Sequence, residues 1–261
     1  MRNSQWRSAL AIATVGTCAS AHLFAADDVA VTPYRPTVST PAALSATDWI
    51  EVELGLLSSN GGMLRPRNSA PYAIKMAFSD NWGVRIGGEI WARNIGERGR
   101  DINGAGDTAV VFKRKFAVNE RSAFGLEFGV MTPTAPVGLH TGSGAADYGV
   151  NAIYSTDFGA VFHTDINYSI ARLGFTAAGQ SPDQSLWAAA LSYTLSERWG
   201  LAGELSGTRQ SGADSTAQFL SAATYSPYKR VTWDFGMARG MTAATPAWSV
   251  FVGCTFLVSR L

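Results

Sequence analysis

The 261-residue sequence is poor in charge, nearly without cysteine and free of long apolar runs, and each shortage removes a class of protein. Charged residues make up 16% of the chain, against about a quarter in an ordinary soluble domain, which is unusual for a cytosolic enzyme. No stretch approaches the roughly eighteen consecutive apolar residues that a membrane-crossing helix needs. Only Cys18 and Cys254 are present, and Cys18 falls in a segment expected to be removed. The mature chain therefore has no intrachain disulfide and no multi-cysteine metal centre. Taking Arg2 and Arg7 from the 21 basic residues leaves 19 against 20 acidic ones, a balance without the electrostatic footprint of a nucleic-acid partner.

What is present is glycine, at 27 residues, and aromatic side chains, at 11%. The first residues have the layout of a secretory signal: Arg2 and Arg7 form a basic start, and 9–21 is a short core of apolar and small residues without an acidic one. Cleavage is expected after Ala25 or Ala26, just before Asp27 and Asp28, with Ala19-Ser20-Ala21 as a second small-residue site. Thr17 breaks the small-residue pattern that lipidation of Cys18 would need. Three regions follow: a signal peptide over 1–26, a flexible periplasmic linker over 27–47 and a folded domain over 48–261. The linker reading rests on Pro33, Pro36 and Pro41 among Ser, Thr and Ala, with no apolar periodicity.

From Asp48 onward apolar residues alternate with polar or small ones in stretches of about ten, the length of a tilted strand crossing hydrocarbon. The expected strands are 48–58, 71–79, 82–92, 107–117, 122–132, 147–156, 160–170, 185–195, 198–207, 217–226, 230–239 and 247–258. Their connections alternate between longer segments and tight turns, the latter at Asp80-Asn81, Asn119-Glu120, Asp157-Phe158, Ser196-Glu197 and Tyr228-Lys229. An all-β fold follows: a transmembrane antiparallel β-barrel of about twelve strands, with short periplasmic turns and longer outer loops, in the outer membrane of a Gram-negative bacterium.

The two faces of each strand carry different chemistry. Phe124, Leu126, Phe128 and Val130 alternate with Gly125, Glu127 and Gly129, while Val231, Trp233, Phe235 and Met237 alternate with Thr232, Asp234 and Gly236. Lipid can neither hydrogen-bond nor solvate a charge, so the apolar row is expected outside and the charged row inside. A water-soluble barrel would reverse the two. Trp82, Trp91, Trp187, Trp199, Trp233 and Trp248, with Tyr72, Tyr154, Tyr193 and Tyr225, are expected to form girdles at the headgroups.

Four segments carry a resemblance: GAGDTAVVFKRKF (104–116), FGLEFGVMTPTAPVG (124–138), GSGAADYGVNAIYSTDFG (142–159) and WGLAGELSG (199–207). Over most of 48–258 the chain resembles the transporter family named for the meta-pathway of phenol degradation, barrels related to channels for hydrophobic compounds. The resemblance implies passive uptake of small hydrophobic or aromatic compounds. The last strand departs slightly from such barrels, because five residues ending in Arg260-Leu261 follow Phe256. Gly253, Phe256 and Val258 still fit the signal read by the barrel-insertion machinery.

The residues expected to line the lumen are Glu51, Glu53, Lys75, Arg85, Glu89, Lys113, Lys115, Glu127, His163, Asp165, Glu204 and Asp234. They fit a water-filled path or a network of ion pairs that fills the interior equally well. His140 and Ser143 raise the possibility of a lipid hydrolase, yet neither a Gly-x-Ser-x-Gly elbow nor an orienting third residue accompanies them. No catalytic residue, metal site or cofactor is expected. GAGD and GSGAAD lack the lysine and following helix of a phosphate loop. Arg65, Arg67, Arg93, Arg98 and Arg100, opposed by Glu97 and Asp101, suit either solvated loops or pairing with lipopolysaccharide phosphates among the outer-membrane lipids. The rival to a channel is a structural or adhesin-like barrel with a closed lumen.

Overall fold

The structure, a computed structural model, describes residues 29–62, 65–95, 101–136 and 141–261. The expected signal peptide, with Cys18, lies outside the described residues, as do Glu97, Arg98, Arg100 and His140.

Among the described residues thirteen strands form: β1 Trp49–Asn60, β2 Arg67–Ala77, β3 Trp82–Asn94, β4 Ile102–Gly104, β5 Thr108–Ala117, β6 Ser122–Thr132, β7 Asp147–Phe158, β8 Phe162–Arg172, β9 Asp183–Thr194, β10 Trp199–Gln210, β11 Thr216–Tyr228, β12 Val231–Gly240 and β13 Trp248–Arg260. Twelve of them make a closed antiparallel ring. β13 returns to β1, from Trp49 opposite Arg260 to Asn60 opposite Trp248, so the twelve-stranded ring itself has no open edge. β4 is a short extension beside the far end of β3, where Ala92 faces Gly104, and the sequence pattern does not reveal it.

Turn chemistry explains the tight end of the barrel. Asn119 Oδ1 accepts from the amides of Arg121 and Ser122, both at 2.8 Å. Ser79 and Ser196 hydroxyls accept from the amides of Trp82 and Trp199, both at 3.1 Å. Such side chains mimic a backbone turn and fix where the next strand starts. At the other end the connections run from β1 to β2, β3 to β5, β6 to β7, β8 to β9, β10 to β11 and β12 to β13. The first, fourth and fifth are shorter than the sequence spacing suggests, because their flanking strands run further than the alternation does.

Burial is inverted relative to a soluble protein. Phe124, Leu126 and Phe128 are 51%, 48% and 50% exposed, whereas Glu127 between them is 5% exposed. Glu51, Glu53, Lys75, Lys113, Asp165, Glu204 and Asp234 are also buried, all on the inner wall. The buried apolar cluster is small, Leu220, Ala222 and Ala238 with Phe251 packed on it. Tilted aromatic pairs ring the short-turn end: Phe124 with Tyr154, Phe162 with Tyr193 and Trp199 with Tyr225, at centroid distances of 5.0, 5.1 and 4.7 Å. Trp91, Trp187 and Trp248 stand toward the long-loop end, and Tyr72 departs from the girdle by lying mid-strand.

Candidate functional site

The largest correction to the sequence reading concerns 29–47, which folds inside the barrel instead of forming a flexible linker. The segment enters at the short-turn end, where the Val31 amide donates to Lys229 O at 2.8 Å. It climbs along β1: Thr32 N donates to Glu51 at 2.9 Å and Tyr34 N to Glu53 at 2.7 Å. Arg35 then forms a fork with Asp234 of β12, both contacts at 3.1 Å. Its guanidinium fits only because two cross-strand glycines leave a notch. A Cβ on Gly55 would stand 2.6 Å from it, and one on Gly253 would stand 2.4 Å from its Nε.

At mid-height the segment crosses the lumen. Val38 N, Ser39 N and the Ser39 hydroxyl all donate to Glu204 of β10, at 3.1, 2.7 and 2.8 Å. Thr40 and Asn167 of β8 pair reciprocally, at 2.8 Å into the Asn167 carbonyl oxygen and 2.9 Å from its amide to Thr40 O. The return descends past β7, where Ala42 N donates to Ser155 at 2.7 Å, and past β5, where the Lys113 ammonium donates to Pro41 O. Thr47 finally bridges Ala77 at the start of the barrel. Tyr34 closes this loop upon itself by donating its hydroxyl to Ala43 O at 2.9 Å. Burial pushes the Tyr34 phenol well above its usual pKa, and neighbouring carboxylates add to the effect, so it stays a neutral donor.

The charges follow from this path. Lys75 Nζ sits 2.5 Å from both Glu51 and Glu53 and donates to Thr32 O at 2.7 Å. Lys113 Nζ is 3.3 Å from Glu127, and the Lys75 and Lys113 ammonium groups both lie over the Tyr34 ring, 3.9 and 4.1 Å from its centroid. Charges taken out of water need this number of partners to be tolerated. Asp165 accepts from the Ser155 hydroxyl at 2.5 Å and lies 3.1 Å from His163, whose other ring nitrogen faces Asp157 at 2.6 Å. Glu89 pairs with Arg67, placing that arginine on the inner wall, away from the lipid phosphates considered for it. Arg93 pairs with Asp101. Lys115 stands on the inward row near the short-turn rim, half-buried.

Above the crossing the lumen opens into a vestibule of about 380 Å³ toward the long loops. Its floor is Val38, Thr40, Arg85 and Glu127, and its wall combines the small or apolar Ala109, Val111, Gly129, Ala171 and Leu186 with the polar Asp147, Asn151, Asn167 and Ser169. A second cavity of about 190 Å³ lies between the segment and the β2–β3 wall, and shares Val38, Thr40 and Arg85 with the first. Asp107 ties down the loop above: it accepts from Ala135 N at 3.0 Å and Ser143 N at 2.7 Å. The Ser143 hydroxyl is held by Asp107 and Ala145 O, at 3.3 and 2.8 Å, so GAGD and GSGAAD serve loop anchoring. Among the described residues no cluster of three or more His, Cys, Asp or Glu could hold a metal ion.

Sequence reasoning missed Tyr34, Arg35, Ser39 and Thr40, and also Asn151, Ser155 and Asn167, which inward parity on β7 and β8 could have found.

A closed ring with an apolar exterior and buried charges within defines a membrane-spanning β-barrel of the outer-membrane type. Solved structures agree. An outer-membrane channel from Pseudomonas putida F1 superposes with a TM-score of 0.66 at 12% identity, covering 83% of this chain and 98% of that one. The NanC porin gives 0.59 at 11% identity, over 80% and 100% of the two chains. The toluene transporter TbuX of Ralstonia pickettii gives 0.51 at 7% identity, over 82% and 90%. At these identities the likeness is one of fold. No family profile matches the sequence, and no curated protein sequence does.

Proposed function

We propose that this protein is an outer-membrane channel for passive uptake of small hydrophobic or aromatic compounds, with its short turns in the periplasm and its long loops outside. The observation that carries this reading is the vestibule, which opens toward the long loops and is walled in part by Ala109, Val111, Gly129, Ala171 and Leu186. Apolar walls with few polar groups are how small-molecule sites take apolar ligands. The resemblance to the phenol meta-pathway family supports the same substrate class, as do barrels of this fold that include a toluene transporter. Intact Gram-negative cells expressing the protein are expected to take up radiolabelled toluene several-fold faster than cells without it. Equal initial rates would remove the channel reading.

The crossing of the lumen by 38–40 favours a second reading, a barrel closed by its own N-terminal segment and serving a structural role. Its signature would be the absence of ion conductance in planar bilayers together with unchanged toluene uptake.

A further inference from the structure

Most of the lumen charges have close partners. Lys75 has Glu51 and Glu53, Arg35 has Asp234, Lys113 has Glu127, and Arg67 has Glu89. Glu204 is satisfied by two amides and a hydroxyl. Arg85 differs: among the described residues no carboxylate stands within ion-pair distance of it, its electrostatic counterpart Glu127 is already paired with Lys113, and its Nε is buried without a hydrogen-bond partner. Arginine does not deprotonate in proteins, so this cation persists at the floor of the vestibule. It also occupies a junction, lining both the vestibule and the cavity beside β2 and β3.

Building on the channel reading, we propose that the vestibule binds a small monocarboxylate with an apolar body, an aromatic acid such as benzoate being the type. The anion pairs with the Arg85 guanidinium, whose planar fork matches a carboxylate, and the ring lies against Ala109, Val111, Gly129 and Ala171. Two acidic groups border the same space and set the limit on charge. Glu127 is already engaged by Asn151, Lys113 and Thr40, at 2.9, 3.3 and 3.5 Å. Asp147, on the vestibule lining, accepts from Gly174 N at 2.8 Å. One carboxylate is compensated by Arg85, whereas a second would meet Glu127 or Asp147. The volume, about 380 Å³, lies in the lower range of small-molecule sites, which suits a single ring.

The test is isothermal titration of the full mature protein in lipid nanodiscs with benzoate, neutral benzamide and acetate. Benzoate is expected to bind about tenfold more tightly than either of the others, benzamide lacking the charge and acetate the apolar body. Arg85→Gln should remove the preference for benzoate over benzamide, and Arg85→Lys should restore part of it. Equal affinity for benzoate and benzamide, no detectable benzoate binding, or a preference that survives Arg85→Gln would each overturn the proposal. The comparison of ligands on the unaltered protein decides even if Arg85→Gln fails to fold. Toluene uptake that persists without any benzoate preference would overturn the anion site and leave the channel reading standing. Loss of both would remove the two together.

Discussion

The two halves of the lumen are built from the same alternating strands and do opposite things with them. Toward the short turns the inward positions are Glu51, Glu53, Lys75, Lys113, Asp165 and Asp234, and the N-terminal segment fills the space between them. Toward the long loops several inward positions shrink to Ala109, Gly129 and Ala171, and the space beside them stays open, with Asp147 and the Arg67–Glu89 pair the charges on the wall there. Large charged groups in a narrow barrel require a partner that reaches them from within. Small neutral ones require nothing and leave a cavity. The contrast teaches that paired inward charges in this barrel mark where the plug docks, and that small inward residues mark where a solute fits.

The contrast breaks most severely at Lys75. Lys75→Met leaves Glu51 and Glu53 buried without their cation, and removing one partner of a buried pair costs about 3–5 kcal/mol. The loss should register as a lowered urea midpoint for the folded barrel in liposomes. On the outer face, Leu126→Arg should cost about 2–4 kcal/mol by placing a cation against lipid, visible as reduced heat-modifiable protein, while Leu126→Ile folds normally. Gly253→Ala intrudes on the notch that receives Arg35, and overpacking of this kind costs about 1–3 kcal/mol. It should also loosen the segment, read as faster protease cleavage near Arg35. In the open half Ala171→Ser should leave stability within about 0.5 kcal/mol of the unaltered protein by the same urea measurement. Equal sensitivity of the two halves would erase the comparison.

The barrel was legible because lipid enforces a period of two. Phe124, Leu126 and Phe128 must all face one way, and Glu127 must then face the other, so strands and faces could be read without a structure. β4 was not legible, since only Ile102, Asn103 and Gly104 form it and Gly106 interrupts the line toward β5 with an amide donating to Glu89 O at 3.0 Å. The plug was illegible for a different reason. Its docking uses backbone amides of Thr32, Tyr34, Val38, Ser39, Thr40 and Ala42, and every residue except proline has one. A segment held by its backbone shows no apolar periodicity, so Pro33, Pro36 and Pro41 suggested only a linker. Pairs such as Arg67 with Glu89 depend on a bulge between Ala70 and Pro71 that sequence spacing does not show.

Single-channel conductance of the mature protein, compared with a form lacking 29–45, tests the central claim most directly. If the segment occupies the short-turn half, its removal should raise conductance several-fold in barrels that remain heat-modifiable. Equal conductance of the two forms would contradict the account, because the wall itself would then set the width of the path.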